Sequence, residues 1–349
     1  MTSLFDPITL GSLNLKNRII MAPLTRARAG VSRIPNDLMA QYYAERAEAG
    51  LILTEATSVH PMGIGYAHTP GIWSTEQVEG WKKITKAVHE KGGKILMQLW
   101  HVGRISDPMY LNGELPVAPS AIRPVGHVSL VRPEKDYVTP RALETDEVHS
   151  IVKAFQWGAQ NALIAGFDGV EIHAANGYLI DQFLQDGTNK RTDQYGGTME
   201  NRARLLMEIT DAVCSVWGAD KVGVHLAPRG DSHDIKDSNP KALFEYVAHE
   251  LGKRKIAFLF VREYVAEDSL GVHLKKAFGG PYIANEKLSL ESAQELLKNG
   301  HADAASFGLA FIANPDLVKR FKEKSVLNDV NFSTLYSEGA SGYTDYPTL

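Results

Sequence analysis

The feature that most constrains the fold is a regular alternation of short apolar runs, rich in β-branched residues, with longer segments that carry apolar residues at helical spacing. Eight such runs occur, at residues 18–24, 51–59, 94–100, 167–174, 221–227, 256–262, 280–284 and 304–309. Several are apolar at consecutive positions, as strands buried on both faces are. This alternation indicates βαβ units and a parallel sheet.

The segments between the runs supply the helices. Their spacing predicts helices over residues 36–49, 75–91, 145–165, 199–217, 239–251, 289–298 and 314–324, with a shorter candidate at 270–277. Ser74 and Gln77 have the spacing of a capping box at the start of the second helix. Eight strand and helix units in one chain are typical of a (β/α)₈ TIM barrel, an α/β fold that we predict as a single domain over residues 1–349.

The segments outside this alternation have separate predicted roles. Residues 4–15 place Asp-Pro and Leu-Gly-Ser turn signals between short apolar runs, which predicts a β-hairpin capping the N-terminal end of the barrel. Residues 101–144 and 175–198 form long excursions after the third and fourth strands. Both begin at strand C-termini, where barrel enzymes build their sites.

Composition limits the classes of partner. The 349 residues contain 37 Lys and Arg against 41 Asp and Glu, which gives a formal net charge of -4. This balance does not favour nonspecific binding to nucleic acid or to an anionic membrane, so we expect small-molecule substrates. There is no signal-peptide pattern, and the single cysteine, Cys214, can form neither an internal disulfide nor an iron–sulfur cluster. We therefore expect a cytoplasmic protein. We also expect a monomer or homodimer, although neither feature bears on the oligomeric state.

Polar residues stand at the ends of otherwise apolar strands, where the aliphatic layers of a barrel give no structural reason for them. In chain order they are Thr25, Glu55, Thr57, Gln98, His101, His173, Asn176, Tyr178, His225, Arg262 and Asn285. The carboxyl ends of parallel strands in a barrel meet at one rim. We therefore expect these side chains to converge on a ligand.

Two kinds of ligand suit these residue types. His101, His173 and His225 end three neighbouring strands and could bind zinc, as in a metal-dependent TIM-barrel hydrolase. However, no carboxylate pair accompanies the first strand, and an amide such as Gln98 is a poor zinc ligand. Neutral donors and acceptors such as Thr25, Gln98 and His225 better match the polar edge of a flavin ring. We predict a flavin site without metal. The alternatives are the hydrolase and a flavin-binding protein without turnover.

Longer motifs resemble the Old Yellow Enzyme family of FMN-dependent ene-reductases over nearly the whole chain. They are NRIIMAPLTR at 17–26, ILTEATSV at 52–59, MQLWHVGR at 97–104, GVEIHAANGYLIDQFL at 169–184, NKRTDQYGGTMENRARLL at 189–206, and FIANPDL followed by GYTDYP near the C-terminus. The resemblance implies tightly bound, non-covalent FMN and NADPH or NADH as the hydride donor. It also implies ping-pong hydride transfer from flavin N5 to activated C=C bonds.

The resemblance further implies roles for individual residues. His173 and Asn176 would bind the substrate oxygen, and Tyr178 would donate the proton; these three are the implied catalytic residues. The substrate pocket would also be lined by Tyr66, Trp100 and Tyr343. The implied FMN contacts are Pro23, Leu24, Thr25, Ala56, Gln98, His225, Asn285, Gly308 and Leu309.

Two positions depart from the commonest pattern of the family, and at each of them an arginine is replaced by a residue without a permanent positive charge. The fifth strand carries His225 where many members have arginine near flavin N1, and Leu309 stands where many have a phosphate-binding arginine. We expect His225 to make the flavin midpoint potential depend on pH, and backbone amides near Asn285, Gly308 and Leu309 to bind the phosphate. With VHLAPRGD and FGGPYIANE, these departures resemble the xenobiotic reductase B subgroup, which implies activity on nitro compounds and nitrate esters as well as enones.

Overall fold

Eight parallel strands form a closed barrel in the computed structural model, which describes residues 2–230 and 232–349. The barrel strands are Ile19–Met21, Leu51–Leu53, Ile95–Trp100, Gly169–His173, Val222–Leu226, Phe258–Arg262, Tyr282–Asn285 and Ala304–Phe307. They pair in chain order. The eighth strand then pairs with the first, with Ala305 opposite Ile19 and Phe307 opposite Met21. The predicted (β/α)₈ barrel is confirmed.

Each predicted run contains one barrel strand, which is shorter than the run in most cases. The second run divides into Leu51–Leu53 and a short extension, Thr57–Ser58, which pairs with the end of the third strand. The seventh strand continues one residue beyond its predicted end, to Asn285. The last residues of the first, second and eighth runs are loop residues at the C-terminal rim rather than strand.

The helices lie at Asp37–Glu45, Thr75–Glu90, Thr145–Ile164, Leu179–Leu184, Met199–Trp217, Pro240–Lys253, Gly271–Phe278, Leu290–Lys298, Leu309–Ala313 and Leu317–Glu323. The capping box is present, with Ser74 Oγ accepting from the Gln77 N–H at 3.3 Å and Gln77 Oε1 accepting from the Ser74 N–H at 3.1 Å. The helices at Leu179–Leu184 and Leu309–Ala313 were not predicted because they are too short to show a helical period. None of the helices in the described ranges is long and apolar enough to cross a membrane.

The barrel interior changes from apolar to polar along its axis. Alternate strand residues point inward, and at the N-terminal end these include Leu51, Leu96 and Phe258, which form one buried apolar cluster with the hairpin. Two positions after Leu96, on the same face of the third strand, is Gln98, which is also buried. The polar strand ends identified in the sequence therefore face inward at the C-terminal end.

The predicted hairpin is confirmed as two antiparallel strands, Ile8–Leu10 and Leu13–Leu15, which close the N-terminal end of the barrel. Its turn packs against Asp220, which lies two residues before the fifth strand: the Ser12 N–H donates to the Asp220 carbonyl at 3.0 Å. Gly11 has φ of 58°, and a Cβ at this position would lie 2.1 Å from the same carbonyl oxygen. Only glycine fits this approach.

The excursion after the third strand is tied to the loop after the fifth strand across the C-terminal rim. Arg104 is buried and donates to the carbonyls of Ile122 at 3.0 Å, His233 at 2.9 Å and Asp234 at 3.2 Å. Within the excursion, the short strands Val117–Ala118 and Arg141–Ala142 pair in parallel. One arginine therefore positions two loops that border the site described below.

Replacement of Gly11 by Ala tests the hairpin contact. Gly11→Ala should lower the free energy of unfolding by about 1–3 kcal/mol more than Gly92→Ala, because both residues have positive φ but Gly92 has open space for a Cβ. Urea denaturation of both variants beside the wild type measures the difference. Equal losses would show that Asp220 moves away without cost.

Candidate active site

Two adjoining clefts open at the C-terminal rim, each of about 430 Å³. The first is lined by seven of the predicted site residues: Pro23, Leu24, Asn176, His225, Asn285, Gly308 and Leu309. The second is lined by three more: Thr25, Tyr66 and Tyr178. The clefts lie close together because Tyr178 of the second cleft packs 5.1 Å from His173, whose ring stacks on His225 of the first cleft at 5.0 Å. Most of the predicted site is therefore brought together.

A wall of parallel rings connects the two clefts. The imidazoles of His173 and His225 stack with centroids 5.0 Å apart and planes inclined by 10°, and Trp100 lies beyond His173 at 6.5 Å and 17°. The Tyr178 ring stands edge-on to this wall, 5.1 Å from His173 and 5.0 Å from Trp100. The third, fourth and fifth strands each supply one ring of the wall.

Gln98 organises the hydrogen bonds beneath this wall. Its Nε2 donates to Glu171 Oε1 at 2.7 Å and to His225 Nδ1 at 3.1 Å, which uses both amide hydrogens. The carboxamide is therefore left with its oxygen, an acceptor, to offer to a ligand. Since His225 Nδ1 accepts, the ring hydrogen is on Nε2. Gln98 and His225 thus present one acceptor and one donor side by side.

Burial sets the protonation states of these groups. It lowers the pKa of His173 to about 3 and holds the pKa of His225 well below its usual value, while it raises the pKa of Glu171 to about 8. At neutral pH both imidazoles are neutral and Glu171 is protonated. Burial therefore works against the pH-dependent charge expected of His225, and its effect on the flavin midpoint potential stays a prediction.

Three buried nitrogens of this region have no hydrogen-bond partner among the described residues: His173 Nδ1, His225 Nε2 and Trp100 Nε1. A buried polar atom left unpaired costs about 1–3 kcal/mol, so a ligand that pairs with these nitrogens would be stabilised. A planar ring with both acceptors and an N–H on its edge would pair with His225 and with the oxygen of Gln98. The residues present therefore fit a flavin.

The Tyr178 hydroxyl takes part in a second hydrogen-bond chain. It lies 2.7 Å from the Tyr66 hydroxyl, which in turn lies 3.5 Å from His233 Nε2. His233 Nδ1 donates to the Asn176 carbonyl at 2.7 Å, so its Nε2 is the accepting nitrogen in the neutral ring. Burial raises the pKa of Tyr178 well above that of a free phenol, and its proton is retained.

Five predicted residues line neither cleft: Trp100 and His173 belong to the wall of rings, Gln98 lies beneath it, and Ala56 and Tyr343 remain. Ala56 is buried in the cluster that contains Trp100 and contacts Tyr66 and Tyr178, which is consistent with a packing role. Tyr343 is a correction: it is fully buried, lines neither cleft, and stacks on Tyr42 with centroids 4.0 Å apart. The Arg28 guanidinium lies 4.6 Å from its ring, so stacking and cation–π contacts hold it behind the first-strand loop.

The three histidines considered as zinc ligands do not converge. His101 is buried beside Gly63, and its Nδ1 accepts from the Gly103 N–H at 3.1 Å, whereas His173 and His225 stack on each other. Within residues 2–230 and 232–349, no group of three or more His, Cys, Asp or Glu residues is placed to hold a metal ion.

Comparison with known proteins identifies the family. The model of the NADH:flavin oxidoreductase / NADH oxidase family matches residues 3–328. The chain belongs to this family. It is accordingly an FMN-dependent oxidoreductase that takes hydride from NAD(P)H, and the Old Yellow Enzyme resemblance is confirmed.

Relatives and solved structures of this flavin oxidoreductase family agree over almost the full chain. A probable flavin mononucleotide-dependent alkene reductase of Leishmania infantum is 40% identical over 355 residues, which cover 99% of this chain and 97% of that protein. An Old Yellow Enzyme homologue from Zymomonas mobilis matches with a TM-score of 0.97, 46% identity and full coverage of both chains. Morphinone reductase in complex with tetrahydroNAD matches with a TM-score of 0.97 and 46% identity, covering 100% of this chain and 98% of that one.

Four residues of this flavin oxidoreductase site were not assigned from the sequence. Glu171 could have been found, because it is a charged residue two positions before His173 on the same face of a buried strand. Lys287 lines the first cleft and follows the seventh strand, in the loop expected to bind phosphate. Arg262, which lines the same cleft, stood at a strand end without an assigned role. His233 lies on a loop with no periodic signal.

Glu171→Gln tests the protonation state of the buried carboxyl group. The pKa of Glu171 is raised from 4.5 to about 8, so the wild type should lose stability as pH rises from about 4.5 to about 8, by up to a few kcal/mol at about 1.4 kcal/mol per unit. The Gln variant should lack this loss. Its melting temperature, relative to the wild type, should therefore increase from pH 5 to pH 8.5.

The exposed Glu114 supplies the control, and Glu114→Gln should follow the wild-type pH dependence. A Glu171→Gln curve parallel to the wild-type curve would mean that Glu171 is already ionised in the folded protein.

Proposed function

We propose that the protein is an ene-reductase that uses NAD(P)H to reduce activated C=C bonds of enones, with its site built by one domain over residues 1–349. The observation that carries this proposal is the arrangement at the wall of rings. His173, Asn176 and Tyr178 come from one strand end, and the phenol of Tyr178 stands edge-on to the imidazole at 5.1 Å. Two donors and an acid therefore surround one region of the cleft.

His173 and Asn176 act as a clamp on the substrate carbonyl oxygen. Because the pKa of His173 is about 3, its imidazole is a neutral N–H donor throughout the neutral pH range. Two donors on a carbonyl oxygen withdraw electron density from the conjugated alkene and stabilise the negative charge that develops on this oxygen. Loss of one such donor typically lowers the rate about 10²–10³-fold.

Tyr178 supplies the proton for the α carbon. Its raised pKa keeps the hydroxyl protonated, and a positioned acid of this kind contributes about 10²–10⁴-fold to the rate. The Tyr66 hydroxyl lies 2.7 Å away, and as the proton leaves it can turn its single hydrogen from His233 Nε2, an acceptor 3.5 Å distant, to the phenolic oxygen. His233 orients Tyr66 from the other side.

The first cleft contains the groups that would hold FMN. Gln98 and His225 would pair with the polar edge of the ring, and Pro23 and Leu24 line the same cleft. Thr25 would approach the ring from the adjoining cleft and Ala56 from the cluster around Trp100, while Asn285, Gly308 and Leu309 lie where the phosphate is expected. Lys287 lines the same cleft and supplies a cation that the sequence analysis did not identify. FMN, when bound, supplies the hydride for the alkene, which it obtains from NAD(P)H in a ping-pong cycle.

Nitro compounds and nitrate esters are a second proposed substrate class, as in the xenobiotic reductase B subgroup. The support is that the clamp donors recognise an oxygen acceptor, which a nitro group presents as well as a carbonyl does. The net charge of -4 and the lone Cys214 favour small-molecule partners and a reducing, cytoplasmic location, with a monomer or homodimer as the expected state.

The visible absorption spectrum of the purified protein tests the cofactor assignment. We expect flavin absorption, lost on anaerobic addition of NADPH and restored by an enone such as cyclohexenone. A colourless protein that cannot be reconstituted with FMN would contradict the proposal. Flavin that is reduced by NADPH but reoxidised by no enone or nitro compound would favour the alternative of a flavin protein without turnover.

Tyr178→Phe tests whether Tyr178 acts as the proton donor in enone reduction. Enone reduction should fall about 10²–10⁴-fold because the acid is lost, while flavin reduction by NADPH should change little because it needs no proton from this residue. Stopped-flow absorbance measures the two half-reactions separately. Tyr246→Phe, on the outer helix Pro240–Lys253, is the control. Equal losses in both half-reactions would contradict the assignment of Tyr178 as acid.

A further inference from the structure

Arg262 ends the sixth barrel strand and reaches over the first cleft. Its guanidinium forms a two-point ion pair with Glu286, with Nε 2.8 Å from Oε2 and Nη2 3.2 Å from Oε1. Glu286 has φ of 104°, a backbone conformation that is costly for a residue with a side chain. Such a paired arrangement fixes the plane of the guanidinium and leaves its Nη1 edge available.

The Nη1 edge contacts the proposed substrate clamp. Arg262 Nη1 donates to Asn176 Oδ1 at 2.9 Å. A guanidinium has only donors, so the amide of Asn176 must turn its oxygen toward Arg262. The Asn176 Nδ2 group, with its two hydrogens, therefore faces the other way.

This contact crosses the fifth strand. Asn176 follows the fourth strand, with φ of 58°, and Arg262 ends the sixth, so the hydrogen bond passes above His225. The Arg262 charge also contributes, after burial, to the lowered pKa values of His173 and His225. Its guanidinium thus lies close to both imidazoles and helps to keep them neutral donors.

We propose that Arg262 is a positioning residue of the substrate clamp, which locks the Asn176 amide with Nδ2 directed at the substrate oxygen. Without this lock the amide can rotate and present Oδ1 to the substrate oxygen, which replaces a donor by an acceptor. The proposal rests on the proposed function, since it assumes that Asn176 binds the oxygen of the substrate.

Binding of a polyfluorinated phenolate, an anion at neutral pH, tests this role in the FMN-loaded enzyme. Its oxyanion resembles the charge that the clamp stabilises, and its binding can be followed by the absorbance of the bound flavin. Arg262→Met should raise the dissociation constant about tenfold to a hundredfold, the range for losing a hydrogen bond that involves a charged group. Arg262→Lys, which keeps one donor and the charge, should recover part of the affinity.

Arg229→Met is the matched control. Arg229 is also ion-paired on this face of the barrel, to Glu263 and Asp268, but lines neither cleft. Its loss should leave the dissociation constant within about twofold of the wild type, as for a site that is not coupled to the clamp. Values are normalised to the flavin content of each variant.

A double-mutant cycle with Asn176→Ala distinguishes positioning from a general structural role. If Arg262 acts through the amide, Arg262→Met should change phenolate affinity by less than about twofold once Asn176 is Ala. The proposal would be overturned if Arg262→Met raised the phenolate dissociation constant by the same factor with Asn176 and with Ala at position 176. It would also be overturned if Arg262→Met bound phenolate as tightly as Arg229→Met. A wild type that binds phenolate but reduces no enone would instead contradict the proposed function and leave this inference standing.

Discussion

Closure of the sheet is the constraint on which the rest of the molecule depends. The eighth strand pairs with the first, so no edge remains and each strand has a fixed register with two neighbours. This register places Gln98 opposite Glu171 and His173 opposite His225. A slip of one residue would turn these side chains out of the barrel and replace them by aliphatic residues. The backbone hydrogen bonds between the strands thus determine which side chains face the site.

Much of this arrangement could be predicted from the sequence because it depends on local signals. Apolar runs located all eight strands, turn residues located the hairpin, and polar strand ends located the rim. Contacts that depend on loop geometry could not be predicted. Tyr343 was placed in the pocket, but stacking on Tyr42 holds it behind the rim, and the bond from Arg262 to Asn176 joins residues 86 positions apart.

Protonation states also lay beyond the sequence, because they depend on burial in three dimensions. His225 was expected to titrate near neutral pH, yet it is enclosed by His173, Phe260 and the amide of Gln98, where a charge would be poorly solvated. The site therefore works with neutral donors. Because these donors carry no charge, they do not attract anions that would compete with a neutral carbonyl substrate. They also need no counterion when substrate is absent.

The orientation of Gln98 has a consequence for cofactor choice. Rotating its amide by half a turn would require the hydrogen of His225 to move to Nδ1 and the protonated Glu171 to become a donor to the Gln98 oxygen. In the orientation observed, Gln98 presents an acceptor to the cleft and His225 presents a donor. A flavin analogue alkylated at its ring N–H has no hydrogen to donate to the Gln98 oxygen and should bind more weakly. Glu171 and His225, which orient the Gln98 amide, therefore contribute to discrimination among cofactors.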